Sequence, residues 1–178
     1  MSRYFPHTSY AEDQPVPHVV LATHVLTRAL AAGSLAGLGV AAARQAVPAW
    51  RRPRPGGGPA LVSHRILRAS SAGALWGLGV GAAALAGRMY GRELVEWQDR
   101  SWRLLENRGQ LEMDDWTYLG MGAGVAAAWA AGSLKGLGGR GVMGAVGAGG
   151  VVGGLAWAGW RFGVNGGRFK EKPKEGDL

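Results

Sequence analysis

Cysteine is absent from the 178 residues, which excludes thiolate zinc sites, iron–sulfur ligation, thiol catalysis and any disulfide framework. Acidic residues are scarce, 12 against 20 lysines and arginines, and none falls inside the long apolar stretches of the chain. Those stretches therefore lack the buried carboxylates that proton and cation transport ordinarily requires, and no internal ion pair is expected within them. A secretory leader or transit peptide is also not evident. Residues 1–18 have no apolar core and hold Glu12 and Asp13 beside Arg3, so any targeting is expected to use internal signals.

Glycine, by contrast, is abundant at 32 of 178, yet it follows no collagen-like period. The glycines lie inside apolar runs of Ala, Leu and Val. In water, each would weaken a helix by about 0.5–1 kcal/mol relative to Ala. In a bilayer they let helix backbones approach one another. Four apolar stretches, residues 19–43, 69–87, 116–134 and 141–160, reach or approach the ~20 residues that cross a hydrocarbon core. No barrel-like alternation is present, so helices are the expected spanning form. The mean hydropathy near zero averages these stretches with arginine-rich connectors. The expected fold is an all-α integral membrane protein of about four transmembrane helices. Residues 1–18 form a polar tail, 19–163 the membrane domain and 164–178 a basic tail.

The connectors predict an orientation. Between the first two stretches lie Arg44, Arg51, Arg52, Arg54, Arg65 and Arg68 with no acid, and the third connector holds Lys135 and Arg140. The middle connector carries seven acids against five arginines. The positive-inside rule places the first and third connectors on the cytoplasmic or matrix side, and both termini on the other. The tail cations Arg161, Arg168, Lys170, Lys172 and Lys174 fit this less well. Tyr90, Trp97, Trp102, Trp116, Tyr118, Trp157 and Trp160 all fall near the outer face, where an aromatic belt belongs. The pI of 10.6 would suit nucleic acid, but the charge sits on membrane connectors without a recognition motif, so no nucleic-acid partner is expected.

Small residues recur every fourth position: Gly33 and Gly37; Gly73, Gly77 and Gly81; Gly120, Gly124, Ala128, Gly132 and Gly136; Gly141, Ala145, Gly149 and Gly153. That spacing puts them on one face of each helix as a groove for a neighbouring backbone. The glycine clusters lack the strand and trailing lysine of a nucleotide-binding loop. Residues 24–40 align with 64–80 at an offset of forty, sharing His24/His64 and Arg28/Arg68. This reads either as duplication of a helical unit or as biased composition. His24 and His64 are expected in interface hydrogen bonds, for want of a third metal donor. Arg28, inside the first stretch, is expected to snorkel, to meet a lipid phosphate or to pair with another subunit. With Arg44, Arg51, Arg52, Arg54, Arg65 and Arg68 it is a candidate for anionic lipid headgroups, cardiolipin included. Residues 91–109 read as an amphipathic helix that lies on the membrane surface or docks on a partner, with Leu94, Trp97, Trp102, Leu104 and Leu105 as its apolar side.

At the end of that segment Arg108, Glu112, Leu119, Gly120 and Gly124 follow the spacing Arg-x3-acid-x6-small-Gly-x3-Gly. This resembles the signature of the mitochondrial inner-membrane preprotein-translocase family, with Glu112 where Asp is usual and Leu119 where a small residue is usual. Trp97 stands at the family's aromatic position, and Leu94 replaces its Gly or Ala. The acidic pair Asp114 and Asp115, then Tyr118 and Leu-Gly-x-x-x-Gly, look like the branch formed by the four-helix accessory subunit of respiratory complex I, NADH:ubiquinone oxidoreductase. The ending at residues 169–174 is similar too. The resemblance implies a subunit with no catalytic residues, redox cofactor or metal of its own, in the mitochondrial inner membrane with both termini in the intermembrane space. It would bind membrane-arm subunits, cardiolipin and, in supercomplexes, complex III. A channel subunit of a preprotein translocase is the alternative that the same resemblance implies.

Overall fold

The computed structural model describes residues 4–47 and 59–169, and within these the side chains of all but residues 59–61. Among the described residues there are five α-helices and no strand: α1 (Pro17–Ala46), α2 (Pro59–Met89), α3 (Leu94–Glu106), α4 (Arg108–Ala130) and α5 (Gly138–Ala158). A single turn of 3₁₀ helix, Ala11–Asp13, precedes α1, and a π-helical segment, Gly159–Val164, continues α5. Three helical segments, Pro17–Ala46, Val62–Met89 and Gly138–Val164, are long and apolar enough to cross a membrane.

The helices start and stop where the local chemistry dictates. Pro17 opens α1, where its missing N–H costs no hydrogen bond. Glu93 and Glu96 form a reciprocal capping box at the start of α3. Asn107 caps α4 by accepting from the Gln110 N–H. α4 closes in a Schellman motif, with Gly132 N–H bonded to Trp129 O and Ser133 N–H to Ala128 O, both at 2.9 Å. Gly132 adopts φ +66° there. The third apolar stretch therefore ends four residues early. Gly132 and Gly136 (φ +76°) are turn residues, which corrects their assignment to a helix-packing face, because only a residue without Cβ enters the left-handed region at no cost.

The remaining helix-packing glycines lie at two crossings. In the first, α1 and α2 run antiparallel in backbone contact. A Cβ on Gly33 would strike the Gly73 carbonyl, one on Gly37 that of Ala69, and one on Gly77 that of Ala29. Gly81 approaches the side chain of Ala29. In the second, Gly120 meets the Gly149 carbonyl and Gly153, and Gly124 meets Ala145 and Gly149, bringing α4 and α5 together antiparallel. α5 joins the pairs. Its second glycine face puts Gly144 on the Leu67 carbonyl and Gly147 against the hydroxyls of Ser34 and Ser70. Gly141, Gly144, Ala145, Gly147, Gly149, Gly150, Val151 and Gly153 are all buried, so α5 is the central helix.

This interior is inverted relative to a water-soluble protein. Ser34, Ser70, Ser71, Ser101, Asp114 and Thr117 are fully or nearly fully buried, whereas Trp76 and Trp129 are each 77% exposed and Leu119 73%. Small and polar groups face inward and large apolar ones outward, an arrangement consistent with an apolar surrounding. In water the same outer surface would be an aggregation patch.

α1 and α4 point one way and α2 and α5 the other. One end of the bundle thus carries the N-terminal segment, α3, the start of α4 and the π-helical segment. Every described acidic residue, from Glu12 and Asp13 through Asp115, lies at this acid end. At the opposite loop end lie the end of α1, the start of α2 and the turn 131–137. Its described cations are Arg44, Arg65, Arg68, Lys135 and Arg140. Arg44 and Arg65 and Arg68 lie on helical turns of α1 and α2 that extend past the apolar stretches, and are exposed. Arg51, Arg52, Arg54 and the tail lysines lie outside the described residues.

The amphipathic helix is present as α3, shorter than residues 91–109. Its aromatic side packs on the N-terminal segment of this same chain. The Trp97 ring sits 4.4 Å from His18, and Trp102 Nε1 donates to Thr8 O at 2.9 Å. Gln98 Nε2 donates to Glu12 O at 2.6 Å, and Gln14 is buried with its Nε2 bonded to Pro6 O. Residues 4–16 are thus ordered against α3.

Placing a side chain at a crossing glycine must push two backbones apart. Gly77→Leu and Gly120→Leu are each expected to destabilise the bundle by about 1–3 kcal/mol or more. Gly79→Ala and Gly122→Ala, where an added Cβ meets nothing within 4 Å, are expected to be neutral or slightly stabilising. Thermal unfolding in detergent micelles checks both pairs, and equal effects at the two kinds of position would contradict the packing.

Candidate functional site

The acid end gathers the polar chemistry of the chain on the seam between α1 and α4. On α1, His24, Thr27 and Arg28 share one face by their spacing of three and four, and on α4 Gln110, Asp114 and Tyr118 do the same. The parallel helices bring the faces together. Arg28 Nη2 lies 2.6 Å from Asp114 Oδ1, and His24 Nδ1 3.1 Å from Asp114 Oδ2. Arg28 Nη2 also donates to the Gln110 carbonyl at 3.2 Å and to its Oε1 at 3.3 Å. The Thr27 and Tyr118 hydroxyls are 2.9 Å apart. Asp114 is 0% exposed, so its charge is tolerable only beside these partners.

This overturns two expectations. An internal ion pair does exist, and Arg28 is held by a carboxylate of its own chain rather than left to snorkel or to meet a lipid phosphate. The cause is the register of α4. The helix begins at Arg108, eight residues before the apolar stretch, and so carries Asp114 into the bundle level with Arg28. His24 is an interface residue as expected.

A second polar knot fixes the end of α5. Glu112 accepts from Arg161 Nε at 2.9 Å and from Trp157 Nε1 at 3.1 Å, and Arg161 Nη2 also closes on it. Arg161 Nη1 donates to the Arg168 carbonyl, and the Phe169 ring lies 4.0 Å from the guanidinium carbon. The π-helical widening aims Arg161 inward here, where it is buried. Arg161 is accordingly a structural cation and not a tail charge. Trp116 and Trp160 pair nearby at 6.5 Å, on the aromatic side anticipated from the sequence. An open cleft at this end is lined by Arg108, Leu111, Glu112, Trp160, Arg161 and Phe169.

The spaced motif thereby resolves into three jobs. Glu112 anchors α5 through Arg161, Gly120 and Gly124 form the α4–α5 crossing, and Arg108 lines the cleft beside Glu112. His64 lies on α2 at the loop end, away from the acid end where His24 meets Asp114. Sequence reasoning named Asp114 only in an acidic pair and Arg161 only as a tail cation, missing their pairing roles, and it did not single out Gly144 or Gly147. The two glycines were detectable as a second glycine face on α5, offset from the 145/149/153 face. Asp114 was detectable only by extending α4 back to the Asn107 cap. Among the described residues no group of three or more His, Asp or Glu side chains is placed to hold a metal ion.

A family model described as a protein of unknown function (DUF1757) matches residues 7–158. No curated protein and no solved structure matches the chain.

Removing one member of a buried pair strands the other. Arg28→Gln is expected to cost about 3–5 kcal/mol, and Arg28→Gln with Asp114→Asn substantially less than the sum of the single changes. Reversible unfolding in mixed micelles measures the cycle. Strict additivity would mean that the two groups do not depend on one another.

Proposed function

The chain belongs to the DUF1757 family, and we propose that it is a non-catalytic, structural subunit of the membrane arm of mitochondrial respiratory complex I. In this reading α4 is a fourth transmembrane helix. Its apolar part, residues 116–130, is short for a bilayer, but pairing of Asp114 with Arg28 and of Glu112 with Arg161 neutralises the turn and a half that precedes it. α3 then lies near the membrane surface. The all-cationic loop end faces the matrix and the acid end, with both termini, the intermembrane space. Packing partners are other membrane-arm subunits, with complex III in supercomplexes, and the lipid contacts include cardiolipin.

The observation that carries this reading is where the glycines and charges are spent. Gly33, Gly73, Gly77, Gly120, Gly124, Gly149 and Gly153 are consumed in closed backbone contacts, and Asp114, Arg28 and Glu112 in internal pairs. A polypeptide channel, the alternative reading, would need glycine faces and Arg28 along an open groove. What remains outward is a large apolar surface rich in Leu, Val and Trp, suited to lipid and to neighbouring helices. The acidic pair Asp114 and Asp115, followed by Tyr118 and Leu119-Gly120 with Gly124, resembles the complex I branch and supports the specific assembly.

Gentle solubilisation of mitochondria carrying the tagged protein, followed by native electrophoresis and mass spectrometry of the band, tests the proposal. Co-migration with the NADH-oxidising assembly is expected. Migration in a smaller complex with import components would instead identify a translocase subunit. Gly73→Leu is further expected to lower the amount of assembled membrane arm while leaving the redox cofactors of the peripheral part intact.

A further inference from the structure

The α1–α2 hairpin has an approximate two-fold axis, and the forty-residue repeat is its origin. Gly33 faces its own counterpart Gly73. The contact of Gly37 with Ala69 becomes that of Gly77 with Ala29 when each residue is replaced by its repeat partner. Exposure follows the same relation, since Leu35 is 52% and Leu75 51% exposed.

Applied to the polar seam, the axis carries His24 and Arg28 to His64 and Arg68. These are again four residues apart on one helical face, now at the loop end. The α1 copy holds the carboxylate of Asp114. The α2 copy is flanked by α5, which runs parallel to it with Gly144 on Leu67 and Gly147 at Ser70. That register sets His64 level with Gly141, and the residue before it is Arg140. The chain has no acid between Asp13 and Glu93 or between Asp115 and Glu171, so the loop end receives no carboxylate from these helices.

We propose that His64 and Arg68, with Arg140, hold the phosphate of an anionic phospholipid at the loop-end membrane surface. It is the pseudo-symmetric counterpart of the place where His24 and Arg28 hold Asp114. A guanidinium and an imidazole on one face suit a phosphate oxyanion as they suit a carboxylate. The neighbours select a lipid over soluble phosphate, because Leu75, on the same face of α2 two turns toward its middle, is 51% exposed and offers acyl chains an apolar bed. The proposal rests on the membrane reading and deepens its lipid-binding part, but it does not depend on which assembly contains the protein.

The test uses the purified full-length protein in phosphatidylcholine nanodiscs titrated with phosphatidylglycerol, with thermal stabilisation and lipid retention in native mass spectrometry as readouts. Phosphatidylglycerol is expected to stabilise the wild type. Loss of any one surface cation weakens such binding about fivefold. Arg44→Gln is expected to stay within that, and His64→Gln and Arg68→Gln to exceed it. Arg68→Lys serves if Arg68→Gln lowers stability in phosphatidylcholine alone, and it too is expected to lose more than Arg44→Gln, since the planar fork is gone. Equal losses at Arg44 and Arg68 would reduce the site to diffuse charge and overturn the proposal. So would stabilisation by millimolar inorganic phosphate without lipid, or no preference for phosphatidylglycerol. Because no other subunit is present, failure here leaves the complex I reading untouched, and failure of that reading leaves this result standing.

Discussion

The contact of bare backbone with bare backbone at the glycine crossings is the constraint from which the rest of the molecule follows. At Gly33–Gly73 and Gly120–Gly149 the helices approach until carbonyl oxygens occupy the space a Cβ would need. Apolar solvent gives little reason for large side chains to hide, so attraction between helices must come from close dispersion contact and from polar pairs. Glycine and alanine provide the first. The large residues, having no room between the helices, are left on the outside, where Trp76, Trp129 and Leu119 stand.

Polar groups complete what close packing begins. Dispersion contact between smooth, small-residue faces is weakly directional, and a helix can slide one turn along such a groove at modest cost. The Arg28–Asp114–His24 cluster and the Glu112–Arg161–Trp157 knot each bond one helix to another at a single register. Both are at the acid end, and both neutralise carboxylates that α4 would otherwise carry uncompensated. At the loop end the Schellman closure of α4 holds the turn into α5 by backbone hydrogen bonds.

The segregation of charge gives the bundle a direction as well as a shape. Acids, α3 and the ordered N-terminal segment are gathered at one end, and arginines without acids at the other. A helical bundle with closed glycine crossings, an apolar outer surface and a cationic end is suited to holding neighbours and lipids in place. That is the physical content of the structural role proposed for it.

Much of this was legible in the sequence. The four apolar stretches all correspond to helices. The every-fourth glycines at 33, 37, 73, 77, 120, 124, 149 and 153 are all at crossings, because a spacing of four fixes a helix face whatever that face meets. The alternation of connector charge also separated the two ends, since up-and-down topology depends only on helix count and connector length. Four things were decided only in three dimensions. Gly132 left the packing face because the helix ended at a left-handed turn. Arg28 found Asp114, 86 positions away, because a cap at Asn107 extended α4 past its apolar part. Arg161 turned inward through a local π-helical widening, and α5 took the centre because its glycines are packed on two faces, Gly149 and Gly153 against α4 and Gly144 and Gly147 against Leu67, Ser34 and Ser70. Helical period is a local property that the chain carries in its residues. Which faces meet, and at what register, depends on contacts between segments far apart in sequence, and no spacing within one segment encodes them.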